Sequence, residues 1–185
     1  MTLEVRALGL DGVREILTKR FSDGRGFFSE TYNAARFSEA GIDLAFVQDN
    51  HSRSTSKGVL RGLHYQLPPF AQDKLVRVVR GAILDVVVDI RKSSPTFGRW
   101  LSVEISAEKW NQILVPKGYA HGLITLTDDT EVLYKVSEFY SPAHDRSIRF
   151  DDPRLAIDWR LPASQITLSD KDRNAPYLAD AELFD

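Results

Sequence analysis

The chain has 185 residues and no cysteine, which excludes a disulfide framework, a thiolate nucleophile and a cysteine-ligated metal. Apolar residues make up 43% and charged residues 27%, an ordinary globular composition that excludes a disordered chain or a fibre. The formal net charge of −2 argues against a broadly basic nucleic-acid surface but leaves room for a local basic pocket and a small anionic ligand.

At the amino terminus Glu4, Arg6, Asp11, Arg14 and Glu15 interrupt any signal-peptide core, and no later run approaches membrane-spanning length, so the expected location is the cytoplasm. No internal repeat, low-complexity tract or linker divides the chain, and residues 1–185 are expected to form one domain. The first credible helix is Asn33–Gly41, NAARFSEAG, which Asn33 can cap and Gly41 can end in a left-handed conformation. RGLHYQ, Arg61 to Gln66, reads as a strand that carries unusual polar residues. A regular strand would send Arg61 and His64 to opposite faces, leaving a core histidine beside a surface arginine. Glycine inside a strand often marks a bulge, however, and a bulge at Gly62 would let the two converge on one cavity.

Lys74 opens the next strand, where by itself it reads as a solvated lysine at a strand entrance. Val76–Ile90, VRVVRGAILDVVVDI, is broken at Gly81 into two strands. After that break Ala82, Leu84, Val86, Val88 and Ile90 form a fully apolar face, and Asp85 and Asp89 share the other, where most such aspartates meet water. Further strands are expected at Arg99–Ile105, Gln112–Val115, His121–Leu126 and Glu131–Tyr140, a spacing that suggests a sandwich or barrel with peripheral helices. In the last of these Val132, Tyr134, Val136, Glu138 and Tyr140 lie on one face. Tyr134 therefore points inward, on the simplest reading as a core tyrosine bonded to the backbone. Ser169 and Asp172 of LSDKDRNAP have capping-box spacing.

The four histidines, His51, His64, His121 and His144, lack the close spacing from which a histidine-rich metal site is usually built on one strand. PKGYAHG, Pro116 to Gly122, resembles the second motif of cupin barrels, PxGxxH, but GLHYQ supplies one histidine where the first motif expects two. This is the pattern of a cupin barrel without its metal.

Taken together, VQDNHSRSTSKGVLRGLHYQ, DKLVRVVRGAILDVVVDIRKSSPTFGRW, VPKGYAHGL, EVLYKVSEFYSP and LSDKD resemble the dTDP-4-dehydrorhamnose 3,5-epimerase family, from about Arg25 through Asp172. The resemblance implies an all-β cupin-type jelly roll (a double-stranded β-helix), a homodimer and no metal or dissociable cofactor. It also implies a nucleotide-sugar substrate, dTDP-4-dehydro-6-deoxy-D-glucose, inverted at C3 and C5. Carried over residue by residue, His64 is the general base, polarised by Asp172, and Tyr134 is the general acid. Lys74 sits near the substrate carbonyl, helped by His121 and Arg61. Arg25 and Glu30 of GRGFFSE, with Gln48 and Asn50 of VQDN, match nucleotide-sugar contacts, and Lys171 is a further ligand candidate. Asp145 stands where relatives commonly carry glutamate, and Tyr140 is expected to shape the pocket and help decide whether both carbons turn over.

The implied chemistry suits these groups. A C4 carbonyl acidifies the hydrogens at C3 and C5, so inversion needs only a base and an acid on opposite walls and donors for the enolate oxygen. The carbonyl is its own electron sink, so neither a nicotinamide, pyridoxal phosphate nor a divalent ion is chemically required. Two alternatives stand beside this reading: an epimerase of one carbon only, with the same machinery, and a catalytically silent barrel that binds a sugar nucleotide. Replacement of His64, Tyr134 or Asp172 would favour the silent barrel, and none of the three is replaced.

Overall fold

A computed structural model describes residues 3–185. Its strands are β1 (Leu3–Ala7), β2 (Arg14–Thr18), β3 (Phe21–Asp23), β4 (Gly26–Phe28), β5 (Gln48–Ser54), β6 (Leu60–Gln66), β7 (Lys74–Arg80), β8 (Ala82–Asp89), β9 (Trp100–Ser106), β10 (Asn111–Val115), β11 (Tyr119–Thr125), β12 (Thr130–Val136) and β13 (Asp145–Ser147). Two short helices, α1 (Ala34–Glu39) and α2 (Asp170–Arg173), lie at the periphery. A six-stranded sheet, β1-β2-β10-β7-β12-β5, faces a five-stranded sheet, β13-β6-β11-β8-β9, and β3-β4 stand apart as a hairpin. Every strand pair is antiparallel, and the architecture is the jelly roll that the sequence implied.

The period-two alternation of β7, β8 and β12 supplies two cores. Between the sheets Val76, Val78, Ile83, Val87, Ile113, Leu123 and Val132 interlock. On the far side of the five-stranded sheet Leu84, Val86, Val88 and Ile90 pack beneath the carboxy-terminal segment, against Leu155, Trp159 and Leu178. Burying each such Val, Ile or Leu side chain contributes on the order of 1.5–3 kcal/mol.

This second layer corrects the expectation that Asp85 and Asp89 meet water, because both are fully buried. The apolar face of β8 looks outward onto that covering segment, so the other face, with the aspartates, turns inward. Asp89 accepts hydrogen bonds from Arg91, Ser94 and Thr96. Burial opposes its charge, but these donors outweigh burial and hold the carboxyl down at about 2.

The helix expectation holds at both ends. The Asn33 side chain accepts from the Arg36 N–H at 3.3 Å, and Gly41 takes φ +75°. Phe37 of α1 then seals the outer face of the six-stranded sheet against Ile16, Leu75 and Leu114.

Strand β12 ends at Val136, short of the expected Tyr140. Val136 pairs with Gln48 and Lys74, the first residues of β5 and β7, so beyond it neither neighbour continues. Ser137 instead bonds Asp73 through both its N–H and its hydroxyl, and Tyr140 is released to the surface.

Candidate active site

A cavity of about 450 Å³ opens between the sheets, lined by Arg61, His64, Lys74, His121, Tyr134 and Asp172 among others. Its size suits a small organic ligand. Arg61, His64 and His121 come from the five-stranded sheet, on β6 and β11; Lys74 and Tyr134 come from the six-stranded sheet, on β7 and β12.

The convergence of Arg61 and His64 is the work of a bulge. His121 pairs with His64 but Leu123 pairs with Arg61, so Gly62 and Leu63 together oppose the single residue Gly122. The extra residue reverses the alternation and turns both polar side chains to the cavity. Only glycine fits there: Gly62 has φ +141°, and a Cβ on it would stand 2.5 Å from the Gly122 Cα. Gly122 is tightly packed too, though less so, since its own Cβ would meet Leu63 Cδ2 at 3.1 Å.

His64 Nε2 lies 2.5 Å from Asp172 Oδ1. Asp172 is buried, and its other oxygen accepts from the Ser169 hydroxyl at 2.9 Å. Of the capping box expected at Ser169 the side-chain cap is present, with the Asp172 N–H donating to Ser169 Oγ at 3.2 Å, but the Asp172 carboxylate accepts from the Ser169 hydroxyl in place of the Ser169 N–H. Burial pushes the Asp172 carboxyl up, yet His64, the Ser169 hydroxyl and the Gly62 N–H outweigh it and hold the carboxyl below its ordinary value. The same bulge that aims His64 thus also stabilises its partner's charge.

A second pair stands beside the first. His121 Nε2 sits 2.9 and 2.8 Å from the two oxygens of Asp85. Sequence reasoning missed Asp85, because a carboxylate on a valine-rich strand normally marks the solvent side. The signal it left was a charged residue on a strand too apolar to have a wet face.

The opposite wall is tuned by burial. Lys74 is not the solvated lysine of the simplest reading: its Nζ spans the gap between the sheets to the His64 carbonyl oxygen at 3.3 Å. Desolvation of its ammonium lowers the pKa to about 8, against the opposing pull of Asp145 and Asp85. Nor is Tyr134 a core tyrosine bonded to the backbone, since among the described residues no group hydrogen-bonds its hydroxyl. Burial raises its pKa, Asp145 adds to this and Arg61 opposes it, so the phenol keeps its proton.

The cavity continues into a second lobe of about 340 Å³ that shares His64, Lys74, Tyr134 and Lys171 and adds Gln48, Asn50, Tyr140 and Asp145. There Asp145 Oδ2 accepts from Lys171 Nζ and from the Tyr140 hydroxyl, and Gln48 donates to Asn50 at 2.9 Å. Tyr140 therefore reaches the site from a loop rather than from the strand face expected for it. Arg61 hydrogen-bonds Ser54 and the Arg53 carbonyl.

Arg25 and Glu30 are not brought to this cavity. Arg25 sits at the tip of the β3-β4 hairpin, 91% exposed and paired with Asp23, and Glu30 pairs with Arg36 of α1. The hairpin also leaves Phe21, Phe27 and Phe28 uncovered. Among the described residues no three His, Cys, Asp or Glu side chains form a metal-binding group, and no helix is long and apolar enough to cross a membrane.

Comparison with known proteins gives a consistent result. The family model for dTDP-4-dehydrorhamnose 3,5-epimerase matches residues 7–180. A dTDP-4-dehydrorhamnose 3,5-epimerase of Shigella flexneri is 53% identical over 167 residues, 90% of this chain and 91% of that one. The crystal structure of a dTDP-6-deoxy-D-glucose-3,5-epimerase of Legionella pneumophila, in complex with dTDP-4-keto-L-rhamnose, superposes with a TM-score of 0.92 at 46% identity, covering 97% of this chain and 94% of that one. A dTDP-4-dehydrorhamnose 3,5-epimerase of Bacillus anthracis, solved with TDP and PPi bound, gives 0.92 at 45% identity over 95% of this chain and 99% of that one.

Proposed function

The chain belongs to the dTDP-4-dehydrorhamnose 3,5-epimerase family, and we propose that it inverts C3 and C5 of dTDP-4-dehydro-6-deoxy-D-glucose through enolates formed in the cavity between its sheets. The reading rests on one observation above all: a carboxylate-bonded imidazole and an unbonded phenol enter a single cavity from opposing sheets.

In this mechanism Asp172 holds the proton of His64 at Nε2, leaving Nδ1 with its lone pair free to take the hydrogen from C3 or C5. The electron pair of the broken C–H bond moves into the carbonyl, and the enolate oxygen is held by Lys74 with Arg61 beside it. Tyr134, protonated because it is buried, returns a proton to the opposite face; His64 then releases the proton it took to water and the Tyr134 phenolate regains one from water, so both groups are reset for the second carbon. The base is oriented, and its charge stabilised as it forms, by hydrogen bonding, and the acid keeps its proton by desolvation. Arg61, and Lys171 when drawn from Asp145, provide cations for the diphosphate.

The exposed hairpin gains a purpose in a homodimer. With Phe21, Phe27 and Phe28 laid on a second copy, Arg25 and Glu30 contact the nucleotide in that copy's cavity rather than in their own. The whole chain, 1–185, acts as one epimerase domain. Its charged substrate crosses no membrane unaided, which supports a location in the compartment where that substrate is made, on this reading the cytoplasm.

Incubation of the purified protein with dTDP-4-dehydro-6-deoxy-D-glucose in heavy water, with no added cofactor, tests the proposal. Deuterium at both C3 and C5 is expected. Label at one carbon only would identify a single-carbon epimerase, and no label at either would overturn the reading.

A further inference from the structure

Two histidines face the cavity as direct cross-strand partners, His64 on β6 and His121 on β11, and each has its own carboxylate. The mechanism above uses the first pair as a base and leaves the second without a defined task. The two pairs differ in a way that constrains what the second can do. Asp172 touches His64 with one oxygen and gives the other to Ser169, whereas Asp85 turns both oxygens to His121 Nε2 and is fully buried.

A carboxylate can only accept, so the nitrogen between those oxygens carries the proton. His121 is then held in one tautomer, with Nδ1 as its remaining ring nitrogen, and a neutral ring in that tautomer presents an acceptor to the ligand. An acceptor is the wrong partner for an enolate oxygen, which already has Lys74, a donor, within the same cavity. It suits a hydroxyl. In a 4-keto-6-deoxyhexose the carbonyl at C4 is flanked by C5, which bears a methyl group, and by C3, which bears a hydroxyl; the donor beside the carbonyl is therefore the C3 hydroxyl.

We propose that Asp85 is a positioning residue that fixes His121 as the acceptor for the C3 hydroxyl, so that this pair governs turnover at C3 while leaving C5 largely to His64 and Tyr134. The proposal rests on the epimerase reading, and it assigns the distinction between one-carbon and two-carbon inversion to a buried pair on the five-stranded sheet. Losing the acceptor leaves C3 unanchored at the step in which its hydrogen must point at His64. C5 has no hydroxyl and no use for the contact.

The test is site-resolved deuterium incorporation by Asp85→Asn and by His121→Phe, the second keeping a ring of similar shape while removing the acceptor. In both, label at C3 should fall relative to C5 by roughly tenfold or more, the rate equivalent of one lost hydrogen bond. Nitrogen-15 NMR of the resting wild-type protein should show the His121 proton on Nε2, and Asp85→Asn should place part of it on Nδ1. An unchanged C3-to-C5 ratio in a folded Asp85→Asn or His121→Phe protein, or a wild-type His121 protonated on Nδ1 alone, would overturn the proposal. A wild-type enzyme that labels neither carbon would instead defeat the epimerase reading, which the ring-nitrogen measurement does not depend on.

Discussion

The two walls of the cavity are made in different ways. The five-stranded wall is covered on both faces, and its histidines are held by hydrogen bonds to buried carboxylates, His64 to Asp172 and His121 to Asp85. The six-stranded wall offers Tyr134 and Lys74, whose protonation is set mainly by removal from water: the phenol is pushed up and the ammonium down. The lesson concerns how one site holds a base and an acid together. A base must be aimed and its charge stabilised as it forms, which directed hydrogen bonds do well. An acid needs only to keep its proton until the enolate arrives, and desolvation suffices.

Breaking either wall at its reacting group should have the largest effect. His64→Ala and Tyr134→Phe should each lower epimerisation by on the order of 10² to 10⁴ without unfolding the protein, as read by product formation alongside circular dichroism. Full activity in either folded variant would dissolve the contrast. A further cut tests the hairpin: Arg25→Ala mixed with His64→Ala should regain activity that neither has alone, because a mixed dimer contains one intact site. No gain on mixing would return Arg25 to a role outside catalysis.

Lys74 sharpens the comparison next. Removing this donor in Lys74→Met should cost on the order of 10² to 10³ in kcat. Its ammonium is the useful form, and burial brings the pKa to about 8, so kcat/KM of the wild type should fall as pH rises through about 8. In Lys74→Arg any residual activity should persist above that pH, because guanidinium keeps its proton. A descending limb unmoved by the substitution would assign it to another group.

The smallest effect belongs to the hydrogen-bonded wall at its outer support. Ser169→Ala removes a helix cap and one of the bonds to Asp172, and should cost about 1 kcal/mol of stability by thermal melting. It should also raise the Asp172 pKa, moving the acidic limb of activity upward. An unaltered limb would show that His64 and the Gly62 N–H hold Asp172 without help.

Much of this was legible from residue order alone. The strands around Gly81, the cap at Asn33 and the cap at Ser169 follow from spacing and local hydrogen bonding, and each is where local reasoning put it. The bulge at Gly62 was available as a possibility because glycine within a strand has few other uses. Asp85 left only the hint of a charge on a strand too apolar for a wet face, and its direction was not legible. Its inward direction depends on residues 150–184 covering the opposite face of β8, and nothing in VRVVRGAILDVVVDI announces that cover.

Residue order by itself therefore determined the central strands from β6 to β12, the family and the candidate acid and base, because alternation, caps and ordered motifs are properties of neighbouring residues. Tertiary structure decided the rest: that His64 and Tyr134 oppose each other, that Asp85 serves His121, and that Arg25 lies outside its own chain's cavity. Those relations join positions up to about seventy residues apart through sheet packing and a one-residue shift of register, and strand periodicity carries no information about which sheet a strand will face.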